Sequence, residues 1–188
     1  MKLLSKNFTL QVLRRCPRNQ IHTLPAIPDQ FPTDCDVFIS HRSIDTKKTA
    51  AGLLYYNLSR LGLRPFLDSQ NMKAGDKLFD KIDTAIHNCK VGVAVFSPHY
   101  CDSYFCLHEL ALLMESRKRV IPIFCNVKPS ELRVKDTINC PANELQRFNR
   151  ALEEAKCTVG LTFDSSRGYV RRFYLDMNSW TCIIISFN

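Results

Sequence analysis

Val91-Gly-Val-Ala-Val-Phe-Ser97 is the most continuous apolar run in the body of the chain, and the fold turns on how it is read. A run this short, apolar on both alternating faces, predicts a strand at the centre of a parallel sheet. Similar but shorter runs flank it. Cys35-Asp-Val-Phe-Ile-Ser40, Arg64-Pro-Phe-Leu67, Val120-Ile-Pro-Ile-Phe124 and Thr158 to Phe163 read as four more strands, with Pro65 suiting an edge. Between them the apolar period lengthens. Thr46 to Leu61 repeats Ala50, Leu53, Leu54, Leu58 and Leu61 at helical spacing, with Asp45 or Thr46 as N-cap and Gly62 as stop. Leu78, Phe79, Ile82, Ala85 and Ile86 make one helical face after a polar loop, Asp68 to Lys77. Phe105 to Arg119 and Asn143 to Lys156 supply two further helices, and 125–142 reads as irregular with a short helical turn. Strands alternating with helices predict an α/β fold, a five-stranded parallel sheet with helices on both faces and right-handed crossovers.

Composition narrows the function classes. The 188 residues are 45% hydrophobic and 23% charged, an ordinary globular balance with no apolar run long enough to span a membrane. The formal charge of +8 is concentrated at the start. Residues 1–28 hold Lys2, Lys6, Arg14, Arg15 and Arg18 and no acid, which leaves the rest near +3, unlike a strongly basic nucleic-acid binder. We read 1–32 as a basic, flexible extension ending in a proline-rich linker, 33–168 as the domain and 169–188 as a divergent tail. The nine cysteines show no CxxC spacing, so they are expected as free thiols of a reducing compartment, several packing as small hydrophobes. The expected location is cytoplasmic, with an organelle address in the basic start as the alternative.

Parallel sheets of this kind bind ligands outside the carboxyl ends of their strands, where the strand order reverses. In the flavodoxin-like order 2-1-3-4-5, that point lies between the first and third strands. Ser40-His-Arg-Ser-Ile-Asp-Thr-Lys47 follows the first strand with cations, hydroxyls and a helix start, suited to phosphate oxygens or equally to a capped helix with solvated charges. Ser97-Pro-His-Tyr-Cys-Asp-Ser-Tyr-Phe-Cys-Leu-His-Glu109 follows the third. There Phe105 and Glu109 fall four apart on one helical face, pairing an aromatic surface with a carboxylate. The plain alternatives are an exposed helix glutamate and a core phenylalanine.

These segments carry a resemblance. Cys35-Asp-Val-Phe-Ile-Ser-His-Arg-Ser-Ile-Asp-Thr-Lys47 resembles the opening strand and loop of plant TIR (Toll/interleukin-1 receptor/resistance) domains, usually DVFLSFRGxDTR. Leu67-Asp-Ser-Gln-Asn-Met-Lys-Ala-Gly75 looks like their BB loop. Val93-Ala-Val-Phe-Ser-Pro-His-Tyr100 with Phe105-Cys-Leu-His-Glu-Leu110 is similar to VVFSxxYxxSxWCLxEL, and Val120 to Ser130 to VIPIFYDVxPS. The resemblance spans about residues 33–165 and implies a TIR-only protein that cleaves the nicotinamide–ribose bond of NAD+. Its products would be nicotinamide with ADP-ribose or a cyclic ADP-ribose isomer, used in plant immune and cell-death signalling. It implies Glu109 as catalytic residue, Arg42, Ser43, Ile44, Asp45, Thr46, Lys47 and Gly75 as NAD+ contacts, and Phe105 in place of the usual Trp. It implies no cofactor beyond NAD+ as substrate, and TIR–TIR self-association in which a neighbour's BB loop completes the site; the short apolar runs and irregular Cys/His spacing lead us to expect no membrane partner and no metal.

The chemistry suits a lone acid. Nicotinamide in NAD+ is a pyridinium and leaves as a neutral molecule, so no general acid is needed, unlike ordinary glycoside hydrolysis. One carboxylate can stabilise the oxocarbenium-like ribose. Departures from the family pattern are His41 and Ser43-Ile44 for Phe and Gly-x, Lys73 where related animal domains carry an acid, and the end of the chain. Tyr169 to Asn188 reads more like a strand than the family's last helix, which would leave one sheet face poorly covered. The main rival is a non-enzymatic adaptor acting through self-association. A receiver domain lacks its Asp after the third strand, a dehydrogenase lacks GxGxxG, and neither a metal site nor a thiol hydrolase using Cys101 or Cys106 with His99 or His108 has ordered spacing. Nucleic acid as a partner has no support in the sequence.

Overall fold

The structure, a computed structural model, describes residues 35–135, 140–164 and 181–186. The extension read at 1–32 lies outside them. Along the chain run β1 (Val37–His41), α1 (Ser43–Thr46), α2 (Ala50–Arg60), β2 (Pro65–Phe66), α3 (Asp68–Asn71) and α4 (Leu78–Asn88). There follow β3 (Val91–Phe96), α5 (Tyr104–Glu115), β4 (Arg119–Cys125), α6 (Ala142–Lys156) and β5 (Leu161–Phe163). The five strands form one parallel sheet in the order β2-β1-β3-β4-β5, as expected.

The central strand earns its position by being apolar on both faces. On one face Phe38, Ala94, Phe96, Val120 and Phe124 pack with Ile82 and Ile86 of α4, Leu107, Leu110 and Leu113 of α5, and Phe148 and Leu152 of α6. On the other, Val37, Ile39, Val93, Val95, Ile121 and Ile123 meet Ala50, Ala51, Leu54 and Leu58 of α2. Gly92 is what lets α5 lie close. A Cβ there would sit 2.7 Å from Leu113 Cδ2, so any larger residue must displace the helix or its leucine.

Four expectations need correction. The helix read over Thr46–Leu61 is broken. α1 closes as a single turn, with Thr46 Oγ1 donating to the Arg42 carbonyl, and Thr49 (φ −124°, ψ −114°) leaves the helical region before α2 begins. The N-cap assignment fails for the same reason: Asp45 lies inside α1 and its carboxylate serves another loop. The polar loop after β2 contains the turn α3, set by Asn71 Oδ1 accepting from the Leu67 N–H at 2.8 Å. Of the stretch Tyr169 to Asn188 read as extended, the described part is helical over 181–185, and 169–180 lies outside the described residues. Its Ile184 is fully buried against the α2 face of the sheet, and so helps to cover the face expected to be bare. The short turn expected in 125–142 is present as a 3₁₀ turn at Pro129–Glu131.

Candidate active site at the carboxyl edge of the sheet

Side-chain direction along β1 builds the site. Phe38 and Ser40 share the face covered by α4 and α5, so Ser40 is a polar group placed in that core at the strand's carboxyl end. A buried hydroxyl needs partners, and α5 provides one. Ser40 Oγ lies 2.7 Å from Glu109 Oε2 and 2.7 Å from Tyr100 Oη, and the Tyr100 hydroxyl lies 3.1 Å from the Cys106 carbonyl. The Tyr100 ring is fully buried, edge-on to Phe96 at 4.7 Å. Ser103 caps α5 by accepting from the Cys106 N–H at 3.4 Å, which fixes where the helix starts and hence where Glu109 falls.

Glu109 is only 7% exposed. Burial raises its carboxyl to about 8; the Ser40 hydrogen bond opposes that rise, and the Asp68 charge adds to it. An exposed helix glutamate is therefore the wrong description. Asp68, at the start of α3, faces the same region. Its Oδ1 lies 3.8 Å from His41 Nδ1, and its Oδ2 accepts from Ser43 Oγ at 3.4 Å. Burial pulls the His41 imidazole below its usual range against the pull of Asp68, with Lys47 adding to the fall. Arg42 is half-buried, and its Nε is enclosed with no hydrogen-bond partner.

The other residues expected to contact substrate divide into two groups. Asp45 is a latch between the two loops. Its Oδ2 accepts from Ser97 Oγ at 2.6 Å and the His99 N–H at 3.0 Å, and its Oδ1 pairs with His99 Nδ1 at 2.9 Å. Burial acts against ionisation there, but these bonds outweigh it and hold the carboxyl below its usual range. Thr46 is buried and spent on closing α1. Lys47 is exposed, and Ile44 is 73% exposed. Gly75 lies in an exposed turn closed by the Asp76 N–H on the Lys73 carbonyl, at φ +100°, a conformation open to glycine. Phe105 is 41% exposed and tilted against Phe79 of α4 at 5.3 Å, a surface platform rather than a core ring.

The cavity beside the Asp45 latch does not include Glu109. It has a volume of about 280 Å³ and opens on the α2 side, lined by Asp45, Lys48, Thr49, Leu53, Ser97 and Cys125, while Glu109 lies on the α5 side. Sequence reading missed Ser40, Tyr100 and Asp68 as its neighbours. A signal for Ser40 was available, because it is the polar residue on an otherwise apolar strand face.

Thiol chemistry has no base here. Burial raises the Cys101 thiol to about 11 and that of Cys106 further, while His99 is held by Asp45 and His108 by Asp83 at 3.2 Å. Among the described residues, no group of three or more His, Cys, Asp or Glu side chains could hold a metal ion, and no helix is long and apolar enough to cross a membrane.

Strand order and a buried acid at the carboxyl edge of the sheet define the class: a flavodoxin-like α/β domain with a polar switch point. The TIR domain family model matches residues 37–154, and the chain belongs to that family. It is 53% identical over 137 residues to a Brachypodium distachyon protein named as a probable 2′ cyclic ADP-D-ribose synthase, BdTIR. That match takes in 71% of this chain and 61% of the relative. It is 36% identical over 123 residues to the TMV resistance protein N of Nicotiana glutinosa, covering 63% of this chain and 10% of that protein. The chain thus spans under two thirds of the length of these relatives. In three dimensions it resembles the TIR domains of the activated Roq1 resistosome, which recognises the effector XopQ. There the TM-score is 0.68 and the identity 26%, over 80% of this chain and 99% of the other.

Proposed function

We propose that this chain cleaves the nicotinamide–ribose bond of NAD+, releasing nicotinamide and ADP-ribose or a cyclic ADP-ribose isomer for plant immune signalling. The carrying observation is Glu109: a carboxyl at the sheet's switch point, enclosed, bonded to one hydroxyl and faced by a second acid rather than a neutralising cation. Such a group is poorly matched to a structural role and well matched to a developing positive charge. When ionised it stabilises the ribosyl cation as neutral nicotinamide departs, and no second acid is required. The unpartnered Arg42 Nε offers a donor to the dinucleotide's oxygens, with Ser43 beside it. Phe105 offers an exposed aromatic face. Ile44, Lys47 and Gly75 border the approach, whereas Asp45 and Thr46 act on substrate through the loop they hold. NAD+ is the substrate, and no further cofactor is required.

The 7% exposure of Glu109 makes opening of the α3 segment part of this reading. Self-association is the event that opens it, in keeping with the assembled TIR domains of the Roq1 resistosome. Purified protein at high concentration should consume NAD+ with nicotinamide among the products, identified by mass, and Glu109→Ala should lose that turnover while remaining folded. A folded Glu109→Ala protein that still turns over NAD+ at the wild-type rate defeats the assignment. Self-association without any NAD+ loss favours the adaptor.

A further inference from the structure

The hydroxyls around Glu109 are arranged for more than filling space. This inference rests on the proposed NAD+ cleavage. Ser40 comes from β1, Tyr100 from the 3₁₀ turn before α5, and Glu109 from α5 itself, so three elements converge on a single line of contacts. That line runs Glu109 Oε2, Ser40 Oγ, Tyr100 Oη, Cys106 carbonyl, with separations of 2.7, 2.7 and 3.1 Å. We propose that Ser40 and Tyr100 are positioning residues forming a hydroxyl relay, which orients the Glu109 carboxyl and gives its proton a fixed place until substrate arrives.

Counting hydrogens supports this. Three contacts need three donated hydrogens. The two hydroxyls supply one each, so with an ionised Glu109 one contact is always unmade. A neutral Glu109 supplies the third: it donates to Ser40, Ser40 to Tyr100 and Tyr100 to the Cys106 carbonyl. Every link is then satisfied, and such chains reinforce themselves in a low-dielectric interior. The surrounding charges agree. Asp68 from α3 faces the carboxyl, the buried Cys106 thiol of α5 donates to the His41 carbonyl at 3.4 Å, and His41 of β1 is paired towards Asp68. Arg42, after β1, is the nearby cation, and its field reaches Cys106.

The relay has a second setting. When a pyridinium dinucleotide binds, Glu109 releases its proton to solvent, Ser40 turns its hydrogen to the new carboxylate, and Tyr100 keeps the Cys106 carbonyl. Within the relay only O–H rotations are needed. The substrate's positive charge favours this setting, so the reactive anion is formed where it is used.

The two hydroxyls should therefore act in opposite directions. Tyr100→Phe removes the acceptor that completes the neutral chain and leaves the ring's packing in place, so the pH midpoint of kcat should fall by about one unit. Ser40→Ala removes the donor to the anion, so the midpoint should rise and kcat near neutrality should drop by roughly tenfold with KM within about twofold. Ser40→Thr, which keeps the hydroxyl, should restore most of kcat. The infrared carboxyl band that disappears in Glu109→Gln reports the protonation directly and does not depend on turnover. Opposite shifts in that band support the relay, even in a protein that consumes no NAD+, and that outcome would sink the function alone. Unchanged midpoints in folded Tyr100→Phe and Ser40→Ala proteins, or shifts of the same sign in the two, overturn it.

Discussion

β1 is bracketed by two buried carboxyls that live under opposite conditions. At its amino end Asp36, 4% exposed, accepts from Arg64 Nε at 2.9 Å, Arg64 Nη2 at 3.1 Å and the Arg64 N–H at 3.0 Å, with Lys90 Nζ at 3.1 Å. At its carboxyl end Glu109 has the Ser40 hydroxyl and faces Asp68. The hydrogen bond from Arg64 leads the effects that hold Asp36 well below the usual carboxylate range, whereas burial lifts Glu109 far above it. Side chains of similar accessibility thus give an anion at one edge and an acid near neutrality at the other. Both partner and depth differ: Arg64 and Lys90, themselves about half exposed, tie Asp36 to the surface, whereas Glu109 lies deep beside a hydroxyl. The amino edge is wired for stability, and the carboxyl edge keeps a group whose charge is still available.

The contrast is open to direct attack. The largest effect is expected from Glu109→Gln. NAD+ consumption should fall by about 10²–10³-fold or more, because the amide cannot stabilise a cation. Stability should move the other way. Glu109 ordinarily ionises near 4.5 but in the fold holds its proton to about 8, so the unfolded chain ionises first and the fold is progressively disfavoured as pH rises between those values. Gln carries no such dependence, and the variant's advantage in Tm should widen from pH 5 to pH 9. An advantage that stays constant with pH would show that the carboxyl is not held neutral.

Asp36→Ala is the mirror test. It strips the Arg64 N–H and two cations of their shared acceptor, and should cost about 2–3 kcal/mol in denaturant unfolding at neutral pH. Because the folded Asp36 ionises below its ordinary 3.8, its contribution is complete above that value and is lost as pH falls from there towards the lower value at which the folded carboxyl takes up its proton. Wild type and variant should therefore converge in acid. Asp45→Asn tests whether an acid at the carboxyl edge can be of the amino-edge kind. It is already satisfied by Ser97 and His99, and losing its charge should cost only about 1 kcal/mol, with a matching small fall in Tm. A larger NAD+ defect than the stability loss explains would place the latch closer to the chemistry.

Much of this was legible in the sequence because periodicity reports burial. Apolar runs such as Val91–Phe96 announced strands, and the Ile82–Ile86 face announced α4. What escaped depended on contacts distant in the chain. Asp45 reads as an N-cap until Ser97 and His99, more than fifty residues away, claim its carboxylate. The isoleucines near the end read as a strand because β-branched residues favour one, yet burial of Ile184 against the sheet selects a helical turn. Glu109 was legible as a residue and not as an environment. Its spacing from Phe105 says that the two share a helix, but only the fold reveals that one is enclosed and the other open. The motif resemblance pointed to the acid, and the fold supplied its burial and its Ser40 partner.

Gly92 shows how far from the crevice the chemistry can be set. It sits at the second position of β3, beneath Leu113, one turn along α5 from Glu109. The missing Cβ acts as a shim of zero thickness that sets the elevation of the helix above the strands. A methyl group added at that point must push aside either the Leu113 side chain or the helix that also carries Glu109, although nothing in the crevice itself had been altered.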